Sequence, residues 1–167
     1  ATNGKTVMLL GFPMGPHRYW HFNNAFFYDA LRLEIDVCNE LTNAGFDVIY
    51  KAHPDRLGYV EKIMNNYASK VITDRFEDIV DLADILIFHY THTSTFGYAL
   101  CSDKPIVLCS SEIENIQTED FEALSSRVTL IDYMGVGATC AQRKSLIAAV
   151  SHPMKVFSHK YILQLLE

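Results

Sequence analysis

The chain has 167 residues, 49% of them hydrophobic and 20% charged, and its formal net charge is -6. That length fits one domain with a substantial core, and the composition is that of a globular protein rather than a disordered segment. The acidic balance argues against a nucleic-acid coat, which needs a surplus of Lys and Arg, and no apolar run reaches the length of a membrane span.

Thr6 to Phe12 (TVMLLGF) reads as a first buried strand, closed by a turn-rich loop from Gly11 to Pro16. The loop runs on through His17, Arg18, Tyr19, Trp20 and His21. A long helix fits Asn24 to Asn43, with apolar residues at helical spacing (Leu31, Ile35, Cys38, Leu41, or Leu33, Val37, Leu41) and Gly45 just past its end as a C-cap. Phe46 to Ala52 is the second strand, so strand, helix and strand make a βαβ unit. After His53-Pro54, Leu57 to Tyr67 is helical in pattern, Val71 to Thr73 is a brief strand, and Glu77 to Ala83 is a short helix.

Ile85 to Phe88 is short, apolar and β-branched, as expected of a strand buried on both faces of a parallel sheet. Polarity then inverts through Tyr90, Thr91, His92, Thr93, Ser94 and Thr95. Phe96, Ala99 and Leu100 follow at one-face helical spacing, so the spacing predicts a short helix through Cys101 with Ser94 or Thr95 as N-cap. Pro105 to Cys109 is another buried strand. Beyond it, Ser110 to Gln117 is loop-like, Thr118 caps a helix from Glu119 to Leu124, and Val128 to Ile131 is a short strand. Ser145 to Val150 and Val156 to Leu166 read as helices separated by Ser151-His152-Pro153. This alternating order predicts a three-layer, Rossmann-like α/β domain with a mainly parallel sheet of about five or six strands.

Cys38, Cys101, Cys109 and Cys140 form no CxxC pair, which favours buried free thiols over zinc ligands or a disulfide framework and hence a reducing compartment. The abrupt ends suggest a piece of a longer protein.

Four hydroxyls fall within Thr91 to Thr95, where a parallel strand ends and a helix begins, and this is where anions bind in open α/β sheets. One capping hydroxyl with the rest solvated is the bland alternative; the density of hydroxyls, with Gly97 allowing close backbone approach, favours an anion site. His53-Pro54 ends the second strand, and the proline biases His53 towards an extended geometry at the same sheet edge. A strand-ending turn in which His53 caps a carbonyl is the alternative there. Arg18 is a candidate clamp for a phosphate or carboxylate. Glu112 and Glu114, after a strand end, are candidate acceptors for ribose hydroxyls. Tyr19, Trp20, Phe22, Phe26, Phe27 and Tyr28 form a dense aromatic group, with Phe26 and Phe27 assigned to the core and Tyr19 and Trp20 to a partner surface. No GxGxxG follows the first strand, which counts against a dehydrogenase. His89 and His92 lack a third ligand at metal spacing, so no metal site is assigned.

A strand ending in K-x-H-P-D (Lys51 to Asp55), then ADILI, a hydroxyl cluster, a short helix and KPIVL resembles the C-terminal, donor-binding domain of GT-B glycosyltransferases of bacterial surface-polysaccharide synthesis. Kdo transferases, HP-motif sialyltransferases and CDP-glycerol glycerophosphotransferases share this order, and the likeness covers about Phe46 to Cys109. It implies a single nucleotide-sugar-binding domain over residues 1 to 167, forming the C-terminal half of a two-domain enzyme. The donor would be CMP- or CDP-linked, with no further cofactor, and an N-terminal acceptor-binding domain would be the partner. His53 and Pro54 would contact the donor phosphate from one side, and Thr93, Ser94 and Thr95 from the other. Catalytic residues stay unassigned, because the base or nucleophile of such enzymes usually lies in the N-terminal half; the isolated domain is expected to be inactive. The cytoplasm is the implied compartment, any association with the inner membrane face being made through other parts of the protein. The competing readings are a UDP-sugar transferase or UDP-sugar 2-epimerase, and a non-catalytic interaction module.

Overall fold

The structure, a computed structural model, describes residues 4–13, 25–110 and 118–154. Six strands, β1 (Thr6–Leu10), β2 (Asp47–Lys51), β3 (Lys70–Ile72), β4 (Ile85–Phe88), β5 (Ile106–Ser110) and β6 (Thr129–Asp132), form one sheet in the order β3-β2-β1-β4-β5-β6. Every neighbouring pair is parallel. Between them run α1 (Ala25–Asn43), α2 (Leu57–Met64), α3 (Phe76–Ile79), α4 (Ser94–Cys101), α5 (Thr118–Ser125) and α6 (Cys140–Ser151). The Rossmann-like reading is thereby met, with six strands.

Strand alternation separates two cores. Val7, Leu9, Val48, Tyr50, Ile85 and Ile87 face α1, α2 and α6, meeting Val37, Val60 and Leu146. Met8, Leu10, Ile49, Leu86 and Phe88 face the other way and pack on Phe76, Phe96 and Leu124 from α3, α4 and α5. With both faces covered, the strands are apolar at nearly every position, which is why β4 reads as an unbroken hydrophobic run.

Boundaries depart from expectation at α6 and at α4. Helix α6 starts five residues before Ser145, because Thr139 and Gln142 close a reciprocal capping box. Thr93, rather than Ser94 or Thr95, is the N-cap of α4: its backbone is extended and its hydroxyl accepts from the Thr95 N–H at 3.3 Å, while Ser94 and Thr95 are already helical. Helix α1 ends as read, with Gly45 at φ +87 beyond it. Cys38 and Cys109 are buried, whereas Cys101 and Cys140 are exposed. No helix among the described residues is long and apolar enough to cross a membrane. Arg18, Glu112, Glu114, Tyr19, Trp20, Phe22 and the helix expected over Val156 to Leu166 lie outside the described residues.

Candidate functional site

The strand order reverses between β1 and β4, which are hydrogen-bonded neighbours although far apart in sequence. Chain segments leaving their carboxyl ends therefore diverge to opposite sides of the sheet and open a crevice there. Gly11 to Pro13 leaves β1, and His89 to Thr93 leaves β4. One cleft, about 410 Å³ counting the solvent at its mouth, runs along this edge. Lys51 and His53 line it from the end of β2, Tyr90, Thr93 and Thr95 from the segment after β4, and Glu77 from α3.

Three residues expected from sequence thus meet in one cleft: His53, Thr93 and Thr95. His53 has extended backbone and stands as N-cap of the 3-10 turn Pro54–Arg56, with Pro54 as the turn's first residue. Its Nδ1 accepts from the Asp55 N–H at 3.2 Å, so His53 does end the strand in a turn but caps an N–H rather than a carbonyl, and a neutral ring bonded in this way carries its proton on Nε2. Ser94 is exposed and does not line the cleft. A Cβ at Gly97 would meet nothing within 4 Å, so no neighbour among the described residues requires a glycine there.

Lys51, Glu77 and Tyr90 are polar lining residues that the sequence did not assign to a site. The Lys51 ammonium donates to the carbonyl of Ala52 at 2.9 Å and to that of Thr73 at 3.5 Å. Burial pulls its pKa below the usual lysine value, against the opposing charges of Asp74 and Glu77. The Tyr90 hydroxyl donates to the Gly11 carbonyl at 2.9 Å, tying the segment after β4 to the segment after β1. Burial, and then the charge of Glu34, push the Tyr90 phenol well above its ordinary pKa.

Behind this edge lies a polar hub centred on Glu34 of α1, which is fully buried. Its Oε1 accepts from the Phe12 N–H at 2.7 Å, Arg56 Nη1 at 2.8 Å and His89 Nε2 at 2.9 Å, and its Oε2 accepts from the Tyr50 hydroxyl at 2.8 Å. Burial alone would raise the carboxyl pKa; the hydrogen bond from His89 and the Arg56 charge outweigh it and hold Glu34 at about 2. Arg56 Nη1 donates also to the Phe12 carbonyl at 3.0 Å, and its guanidinium lies 4.9 Å from the centre of the Phe27 ring. Arg56 Nε and Nη2 have no hydrogen-bond partner among the described residues. Because Phe12 follows β1, Tyr50 is in β2, Arg56 follows the His53 turn and His89 follows β4, a single carboxylate ties together every wall of the edge except α3.

Gly11 is where the hub demands a glycine. A Cβ there would stand 2.3 Å from the Tyr50 hydroxyl oxygen and 3.1 Å from the Lys51 carbonyl, to which the Gly11 N–H donates at 2.9 Å. The hub carried a sequence signal of its own. Glu34 falls on the apolar stripe of α1 between Leu31 and Cys38, where a carboxylate is out of place unless it is paired.

No protein-family model matches the chain, and no curated protein matches it. Among solved structures, Thermosulfurimonas dismutans KpsC, a beta Kdo 2,7 transferase, is similar to it at 16% identity and a TM-score of 0.48 over 100% of this chain. AibC is similar at 17% identity and a TM-score of 0.43 over 89%. The chain spans 56% of the length of the first and 39% of the second.

Proposed function

We propose that this chain is the donor-binding domain of a bacterial glycosyltransferase or glycerophosphotransferase that uses a CMP- or CDP-linked donor to build surface polysaccharide. The observation that carries the reading is the single cleft shared by His53, Thr93 and Thr95 at the reversal of strand order. Its chemistry suits a phosphate. The imidazole donates from Nε2, the hydroxyl groups donate from the opposite wall, and the first turn of α4 offers backbone N–H groups at the positive end of the helix dipole. The same groups would stabilise a nucleotide phosphate as it gathers charge on leaving the transferred group. In this reading Pro54 sets the pose of His53, Ser94 gives its N–H rather than its hydroxyl, Arg18 and the ribose acceptors Glu112 and Glu114 complete the donor site, and the reacting base comes from an N-terminal acceptor-binding domain.

Calorimetry against CMP, CDP, UMP, UDP, GDP, ADP and NAD tests the proposal. The expected result is cytidine-selective binding that weakens by about 1 to 3 kcal/mol in His53→Ala, the range for a charge-assisted hydrogen bond. Unchanged affinity in that variant would remove His53 from the site, and uridine selectivity would move the assignment to a UDP-sugar enzyme.

A further inference from the structure

Lys51 is the one Lys or Arg that lines the cleft among the described residues, and its surroundings are unusual for a half-buried cation. Such an ammonium is normally paired with a carboxylate, because two neutral carbonyls recover only part of its lost hydration. Here its hydrogen-bond partners among the described residues are the carbonyls of Ala52 and Thr73, the second at a long 3.5 Å. The nearby carboxylates Asp74 and Glu77 act on it through charge. Neither makes an ion pair with it among the described residues.

Two of the three ammonium protons are therefore used, one of them weakly, and a proton remains for a group in the cleft. Lys51 is also held in place. It ends β2, its carbonyl accepts from Gly11, and its side chain is clipped to the start of the His53 turn through Ala52. A cation fixed in this way beside His53, and facing the hydroxyls of Thr93 and Thr95 across one small cleft, gives the cleft two centres for negative charge rather than one. The first is the His53, Thr93 and Thr95 group already read as a phosphate site; the second is the ammonium.

We infer that Lys51 binds a second anionic group of the ligand, so that the cleft takes a nucleoside diphosphate in preference to a nucleoside monophosphate. This rests on the nucleotide reading of the cleft and narrows it from CMP or CDP to CDP. The charges of Asp74 and Glu77 oppose any anion in the cleft, so the diphosphate gains only through direct contact with the ammonium.

The test is calorimetry of the wild-type chain, Lys51→Gln and Lys51→Arg against CDP, CMP and inorganic pyrophosphate, with thermal unfolding of each variant alongside. Gln removes the charge while keeping a polar side chain, one atom shorter, that carries N–H donors. The expected result is that wild type binds CDP at least about tenfold more tightly than CMP, a typical gain for one charge-assisted contact. Lys51→Gln should erase that preference while holding CMP affinity within about twofold, and Lys51→Arg should retain it. Equal affinity of wild type for CDP and CMP, or an equal loss of both in Lys51→Gln, overturns the inference. If wild type binds pyrophosphate in a Lys51-dependent way but binds neither nucleotide, the anion assignment of Lys51 is supported and the nucleotide reading fails. If it binds none of the three, the inference is overturned. Should Lys51→Gln fail to fold, the Nζ nitrogen signal of wild-type Lys51 decides: a shift with CDP and none with CMP supports the inference, and no shift with either overturns it.

Discussion

Arg56 and Arg127 are both fully buried, one at the carboxyl edge of the sheet and one at the amino edge, and their charges are met in different ways. Arg127 lies between α5 and β6 and donates to the carbonyls of Leu100, Ala99, Ser102 and Lys104, where α4 ends. Those carbonyls form the negative end of a helix dipole and need donors in any case, so the arginine and the helix end satisfy each other. Arg56 meets a formal charge, Glu34, which is itself buried and shared with three other donors. One edge is a helix cap; the other is an ion-paired hub that fixes the segments lining a cleft. A hub of this kind makes the carboxyl edge dependent on one shared carboxylate.

The largest expected effect breaks the hub by removing its centre. Glu34→Leu leaves the Arg56 charge buried without its counter-charge and should cost about 3 to 5 kcal/mol in urea unfolding. Arg127→Met leaves the four carbonyls at the end of α4 short of a donor, some within reach of water, and should cost about 1 to 3 kcal/mol. Equal losses in the two variants would erase the distinction between the edges. Adding Arg56→Met to Glu34→Leu should recover a substantial part of the first loss, because a buried pair is more costly to halve than to replace.

Acid should separate the edges as well. The Glu34 carboxyl is held at about 2 in the fold against an ordinary 4.5, so its contribution is fully present above the unfolded value. It is lost as pH falls from about 4.5 through about 2, because the unfolded chain takes up the proton first. Integrated over that window the loss is on the order of 3 kcal/mol. Urea midpoints measured from pH 6 downwards should show a steeper fall in wild type than in Glu34→Leu/Arg56→Met. Parallel curves would mean that other carboxylates carry the acid limb. Arg127→Met should stay closer to the wild-type slope than Glu34→Leu/Arg56→Met does, since the four carbonyls Arg127 donates to do not titrate.

The smallest effect touches the cleft alone. Thr93→Ala removes the N-cap hydroxyl of α4 and should cost about 1 kcal/mol, as capping residues generally do. The hub reaches the same segment through His89, four residues earlier, so Thr93→Ala should leave the Glu34 acid limb unchanged. A changed limb would join cap and hub into one unit.

Much of the fold was legible because burial on both faces writes a plain signature. Ile85 to Phe88 admits little but a central strand, and the His53 and Thr91 to Thr95 segments declare themselves by polarity at strand ends. The cap of α4 was misplaced by one or two residues, because three successive hydroxyls offer the same chemistry and only backbone angle separates them. The start of α6 was missed since Cys140 to Lys144 shows no apolar stripe, although Thr139 and Gln142 stand at capping-box spacing.

Local periodicity and the chemistry of single residues were enough to mark the strands, the alternation that wraps helices on both faces, and the polar groups that gather at strand ends. Which strand ends are neighbours follows from the folded arrangement alone. The order β3-β2-β1-β4-β5-β6 puts His53 and Thr93 in one cleft, turns Lys51 into its cation, and buries Glu34 among donors from segments as far apart as Phe12 and His89. That information is non-local: a carboxylate on a helix has the same local sequence whether it faces water or four donors, and its role is fixed only when distant segments meet around it.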